Sequence, residues 1–283
     1  MTRQDAQWLA TQYDNRARIP EHPQIFARWA AASKHARAHT AVHLDLPYGD
    51  GPNETLDVFP SASAGAPVLV FIHGGWWRSL DKRDHSFLAP PFVERGAMVV
   101  VPNYALCPAV SIEDIASQMV RALAWTHRHA ARYGGDPGRI VVAGHSAGAH
   151  LAAMLLCCRW SDVAPDLPQR VLRSALAISG VFDLDPIRRT PFLQADLRLT
   201  PAAVRRLSPL RFPPPAGRLF AVVGGDESDE FLRQNRLLRQ AWGRHSVPVC
   251  ERIAGANHLT VLDALADPGS RLHAHACRLL ATA

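Results

Sequence analysis

Ser146 stands between Gly144 and Gly148 in VVAGHSAGAHLAAM (141–154), where a β-branched apolar run gives way to an alanine-rich one. A serine hydroxyl that acts as a nucleophile has to stand clear of the backbone around it, and a sharp strand-to-helix turn achieves this with strained angles. Glycines two positions to either side remove the side chains that would collide in so tight a bend. The flanks agree: IVVAG reads as a buried strand and AGAHLAAMLLCC as a helix. A serine capping an ordinary helix N-terminus would share this local pattern. The rest of the constellation has to decide between the two.

A neutral serine is a poor nucleophile unless a base takes its proton, and that base must itself be oriented by an acid. In a chain where the serine follows a mid-sequence strand, the expected order is serine, acid, histidine. His258, in GANHLTVLDAL, falls between the last strand signal and the last helix signal, where it can reach Ser146. The acid should follow the run LFAVVGG, and Asp226 and Glu227 compete for that place, with Asp183 and Asp185 as outside alternatives. Asp229 and Glu230 read as the first turn of the next helix, where acids favour the positive end of the dipole. HGGWW (73–77) directly follows the run PVLVFI. Gly74 and Gly75, with the N–H of Ala147 at the start of the helix after Ser146, are candidate donors to the oxyanion that an attacked carbonyl develops. Trp76 and Trp77, beside them, are candidate walls of a substrate pocket for an aryl or short acyl group, although core packing would explain them equally well.

Of the 14 histidines, His73 and His145 flank these motifs and are expected to orient loops or line the pocket. The pairs His35/His39, His127/His129 and His273/His275 show no associated acid and are read as surface residues, so no metal site is expected.

Composition narrows the class. The chain has 283 residues, 48% hydrophobic and 20% charged, with a net charge of +6. Its basic residues are almost all arginine, Lys34 and Lys82 being the only lysines, and they are scattered beside acids rather than gathered in a recognition motif. They read as solvated surface, and no nucleic-acid partner is expected. Five cysteines, Cys107, Cys157, Cys158, Cys250 and Cys277, form neither a disulfide framework nor a zinc spacing, which fits a reducing cytoplasm. No signal-like segment and no apolar run of membrane-spanning length is seen, so no membrane association is expected. Whether the chain pairs as a homodimer is left open.

From about residue 40 onward, β-rich runs alternate with helical patterns, the signature of an α/β sheet covered on both faces. HLDLPYG (43–49) and TLDVFP (55–60) alternate polar and apolar residues like an antiparallel edge hairpin. Runs at 67–73, 97–104, 138–144, 174–180, 219–225 and 247–255 are more continuously apolar and read as central parallel strands. Helices are expected over 112–133, 147–159, 230–242 and 270–280. Residues 1–40 and 183–216 fall outside this rhythm and are expected to fold over the sheet as a cap within one domain spanning 1–283.

Taken together, these residues resemble the α/β-hydrolase superfamily and, within it, the kynurenine formamidase (arylformamidase) and esterase group with an H-G-G-x-W motif. The likeness covers nearly the whole chain: His73, Gly74, Gly75 and Trp77 match that motif, and GHSAGAHLAAM matches the family's elbow. ESDEFLRQ (227–234) looks like the family segment in which the catalytic acid is followed three residues later by Glu-Phe and then Arg-Gln, which points to Glu227 over Asp226. Leu259 stands where these relatives often carry Phe. The resemblance implies an α/β-hydrolase fold with a small helical cap and hydrolysis without a cofactor. It also implies a Ser146–His258–Glu227 relay acting on a small ester or aryl-formamide. The competing reading is a catalytically silent member of the fold that binds a small ligand.

Overall fold

The computed structural model describes residues 5–283, and the eight apolar runs form the eight strands of one sheet. In chain order these are β1 (His43–Pro47), β2 (Thr55–Phe59), β3 (Ala66–Ile72), β4 (Met98–Pro102), β5 (Gly135–His145), β6 (Ser174–Ile178), β7 (Arg218–Gly224) and β8 (Val249–Ile253). Across the sheet they run β1-β2-β4-β3-β5-β6-β7-β8. β2 is antiparallel to both β1 and β4. From β4 to β8 every neighbouring pair is parallel.

The helices are α1 (Ala6–Tyr13), α2 (Asn15–Arg18), α3 (His22–His39), α4 (Pro90–Val93), α5 (Ile112–His129), α6 (Ala147–Leu156), α7 (Asp185–Arg188), α8 (Pro191–Leu197), α9 (Pro201–Leu207), α10 (Asp229–Ser246), α11 (Val261–Ala266) and α12 (Arg271–Ala281). Alternate residues of the central strands feed two cores. Val68, Val70 and Ile72 pack with α1, α5, α6 and α10, while Leu69 and Phe71 pack with α3, α11 and α12. Local signals explain the helix limits. Ser111 caps α5 by accepting from Asp114 N at 3.1 Å, while the Asp114 carboxylate accepts from Ser111 N at 2.9 Å. Leu272, Ala276, Leu279 and Leu280 form the one buried stripe that holds α12 to the sheet.

The antiparallel β1–β2 hairpin lies at the edge of the sheet as expected, with β1 outermost, but Asp57, the polar residue that made the β2 pattern alternate, is buried. Its carboxylate is held by the Lys82 ammonium and by Asp45 N–H at 2.9 Å, so a compensated charge mimics a solvated face. His273 and His275 are buried rather than at the surface, and His275 does have an acid, Glu251, at 3.0 Å.

Candidate active site

The parallel strands deliver their C-terminal ends to one edge, where loops from β3, β5, β7 and β8 meet. Ser146 follows β5 with φ 56° and ψ −116°, a sparsely populated conformation for a residue with a side chain. Its N–H donates to Ile178 O at 2.8 Å, which ties the turn to β6. The flanking glycines serve close approach. A Cβ on Gly148 would lie 2.0 Å from Ile72 O, and one on Gly144 would lie 2.1 Å from Gly148 O. Neither position tolerates a side chain while α6 starts where it does.

His258 sits in the loop between β8 and α11. Asn257 shapes that loop, its Oδ1 accepting from Leu259 N and Thr260 N, both at 2.9 Å. The imidazole Nε2 lies 3.0 Å from Ser146 Oγ, and Nδ1 lies 2.6 Å from Glu227 Oε2. A carboxylate can only accept, so Nδ1 donates to Glu227 and Nε2 is left to accept from the serine hydroxyl. Glu227 follows β7. Its other oxygen, Oε1, accepts from Gly224 N–H at 2.7 Å and from Ser179 Oγ. Asp226 is exposed, and Asp183 and Asp185 face Arg233 and the Arg188/Arg189 pair, so none of the three approaches His258. Asp229 and Glu230 do begin α10, which Ser228 caps.

The HGGWW loop leaves β3 beside the serine. A Cβ on Gly74 would lie 2.9 Å from Ser146 Cβ, so the Gly74 backbone packs directly against the serine. Gly75 has φ +102° and lines the cavity, while its carbonyl accepts from the N–H groups of Arg78 and Ser79, each at 3.0 Å. Ala147 is the first residue of α6, so its N–H has no intrahelical acceptor. His73 orients this loop: its Nδ1 lies 2.8 Å from Gly74 O, and Tyr104 OH donates to His73 O at 2.9 Å. The two tryptophans diverge. Trp76 lines the cavity, whereas Trp77 has no exposed surface and packs edge-on against His150 at 5.0 Å, so Trp77 is a core residue and not a pocket wall.

The cavity over Ser146 measures about 720 Å³. Its apolar lining comes from Phe26, Trp29, Trp76, Phe192 and Leu259, and its rim carries Asp14, Arg16, Arg78 and Asp196. Arg78 pairs with Asp196 and donates to Phe192 O at 2.9 Å. Residues 14–17, between α1 and α3, form part of one wall. They are anchored through Tyr13, whose hydroxyl donates to Glu230 at 2.7 Å. Among the described residues no group of three or more His, Cys, Asp or Glu stands ready for a metal ion.

One participant was not marked in advance. Ser179, with φ +54°, holds Glu227, and the signal for it was a polar residue ending the apolar run SALAIS at the same edge as Ser146. His145, expected to orient a loop or line the pocket, does both: it lines the cavity and donates from Nε2 to His258 O at 2.8 Å, which braces the histidine loop. Complete burial holds its pKa well below the ordinary 6.5, which keeps the ring neutral beside His258.

The BD-FAE family model matches residues 56–166. Kynurenine formamidase of Danio rerio is 31% identical over 248 residues, covering 84% of this chain and 81% of the relative. The chain belongs to the kynurenine formamidase family. Like the esterases it resembles, this family member is an α/β-hydrolase and a hydrolytic enzyme acting on small molecules. A provisionally named thioesterase from Silicibacter sp. superposes with a TM-score of 0.83 at 31% identity, covering 94% of this chain and 97% of that one. An esterase of Pyrobaculum calidifontis, at 18% identity and a TM-score of 0.70 over 92% of each chain, shares the fold. Among the described residues no helix is long and apolar enough to cross a membrane.

Proposed function

We propose that this kynurenine formamidase relative cleaves aryl-formamides and small aryl esters through an acyl-enzyme on Ser146. The reading rests above all on the line Ser146 Oγ, His258 Nε2, His258 Nδ1 and Glu227 Oε2, with contacts of 3.0 and 2.6 Å. In the first half-reaction Ser146 Oγ attacks the carbonyl carbon as His258 takes its proton. The imidazolium that forms is held by Glu227. The N–H groups of Gly74, Gly75 and Ala147 receive the oxyanion, each such donor contributing about 3 kcal/mol at the transition state. His258 then protonates the departing amine or alcohol, and a water activated the same way releases the acid. The aromatic lining with charges at its rim suits a flat aryl group carrying a polar substituent. N-formylkynurenine, the substrate class implied by the relatives' name, has that form, and short aryl esters share the flat part.

Residues 1–40 and 183–216 serve as a cap within one domain in this reading, supported for 14–17, 26, 29, 192 and 196 by their place on the cavity wall; residues 1–4 lie outside the described residues. The same reading places the enzyme in the cytoplasm and leaves room for a homodimer.

Labelling by a fluorophosphonate tests the nucleophile: the native chain reacts and Ser146→Ala does not. No labelling of the native chain would favour the ligand-binding alternative. Comparing kcat/KM for N-formylkynurenine, phenyl acetate and p-nitrophenyl esters of rising chain length tests the substrate, with aryl-formamide expected to lead.

A further inference from the structure

At the opposite ends of the strands, where β6, β7 and β8 begin, lies a second concavity of about 880 Å³. Arg170, Arg173, Arg218, Arg271 and Arg278 line it against one carboxylate, Glu251. Glu251 is already engaged, by Arg271 at 2.7 Å and His275 at 3.0 Å. Among the described residues the other four arginines have no carboxylate partner. The backbone brings two of them together, Arg218 N donating to Arg173 O at 3.0 Å, and Arg278 is propped over the Phe220 ring at 4.4 Å. Ser174 opens β6 at the floor of this groove. It is 6% exposed and its Oγ is buried with no hydrogen-bond partner. Its side chain shares the sheet face of Leu176 and Ile178, the face covered by α12, on which the groove lies.

Gathering four unneutralised guanidinium groups around one hollow raises their mutual repulsion, which an anion in the hollow would relieve. The planar donor fork of arginine matches phosphate oxygens two at a time, and several forks facing one space match more than one phosphoryl group. The volume lies within the roughly 300–1,000 Å³ typical of small-molecule sites. We propose that this groove binds a small oligophosphate, a ligand with at least two linked phosphoryl groups. Arg173, Arg218 and Arg278 hold its oxygens and Ser174 Oγ supplies a further hydrogen bond. It lies at the far end of the strands from Ser146, so the ligand is bound there and not hydrolysed.

Isothermal titration of the full chain with inorganic tripolyphosphate at fixed ionic strength tests this. Saturable one-to-one binding is expected, weakened about tenfold or more by Arg218→Gln/Arg278→Gln and a few-fold by Ser174→Ala. Arg173→Gln, a single exposed change, should act in the same direction. Arg132→Gln/Arg205→Gln removes the same net charge elsewhere and should change affinity less than about twofold. Absence of saturable binding, or equal loss in the groove and control pairs, overturns the site. Titration with ATP separates the sources: tighter binding than tripolyphosphate assigns a nucleotide, and equal binding a bare phosphate chain, both supporting the groove.

Discussion

At the C-terminal ends of β5, β7 and β8 the groups proposed to react are withdrawn from water, with Ser146, Glu227 and His258 exposed by 2%, 8% and 4%, and each meets a partner within hydrogen-bond range. At the N-terminal ends of β6, β7 and β8 the arginines stand exposed, and four of the five face no carboxylate. Both regions are concave and rest on the same strands, yet one holds its charges in a closed chain of donors and acceptors and the other leaves them uncompensated. A closed chain suits proton transfer, because nothing has to reorganise when charge moves along it. Open charge suits capture of a ligand that brings its own counter-charge.

The contrast can be broken most severely at the cleft. His258→Ala should lower kcat on phenyl acetate by about 10⁴-fold or more with little change in KM, since a base acting only in the transition state is lost. Retained turnover would remove the relay from the mechanism. The second largest effect separates the neighbouring tryptophans. Trp77→Ala should cost about 3–5 kcal/mol of stability in denaturant titration, as a fully buried indole leaves a hole. Trp76→Ala should act chiefly on kcat/KM for aryl substrates. Equal stability losses would refute the division between core and pocket.

Acid should weaken the fold in a defined window. Burial lowers the pKa of His85 to about 3 and of His150 to about 4, and it lowers those of His73 and His145 as well. These rings stay neutral in the folded chain while the unfolded chain protonates them below about 6.5, so stability falls as pH drops from about 6.5 toward 4. His85 and His150 together should remove roughly 3–4 kcal/mol between pH 7 and pH 5. Urea midpoints measured across that range check this, and a flat profile would contradict neutral burial. Ser179→Ala, which takes one donor from Glu227, should reduce kcat by about tenfold to a hundredfold while sparing KM. Ser179→Thr should restore part of the loss. The smallest effect sharpens the comparison from the other end: Arg218→Gln/Arg278→Gln should leave phenyl acetate hydrolysis within about twofold.

Much of the cleft was legible because its requirements are local. The strand-turn-helix around Ser146 is written in consecutive residues, and so is the glycine loop at 73–77. His258 could be found because the order of the strands limits which loop reaches that edge. Glu227 was not separable from Asp226 by spacing, since adjacent residues of a turn point in different directions and only the turn's geometry says which faces inward. Trp77 misled for the same reason: consecutive positive-φ residues, at 54° and 56°, send one indole to the cavity and its neighbour into the core.

By itself the sequence determined the α/β alternation, the strand count and the residue types able to pass a proton, because periodicity and turn chemistry act over a few residues. Only the tertiary structure decided which acid faces the imidazole, that Ser179 and His145 brace it, and that arginines at 170, 173, 218, 271 and 278 surround one hollow. Those contacts join positions tens of residues apart, and their directions are set by packing, which no local pattern encodes.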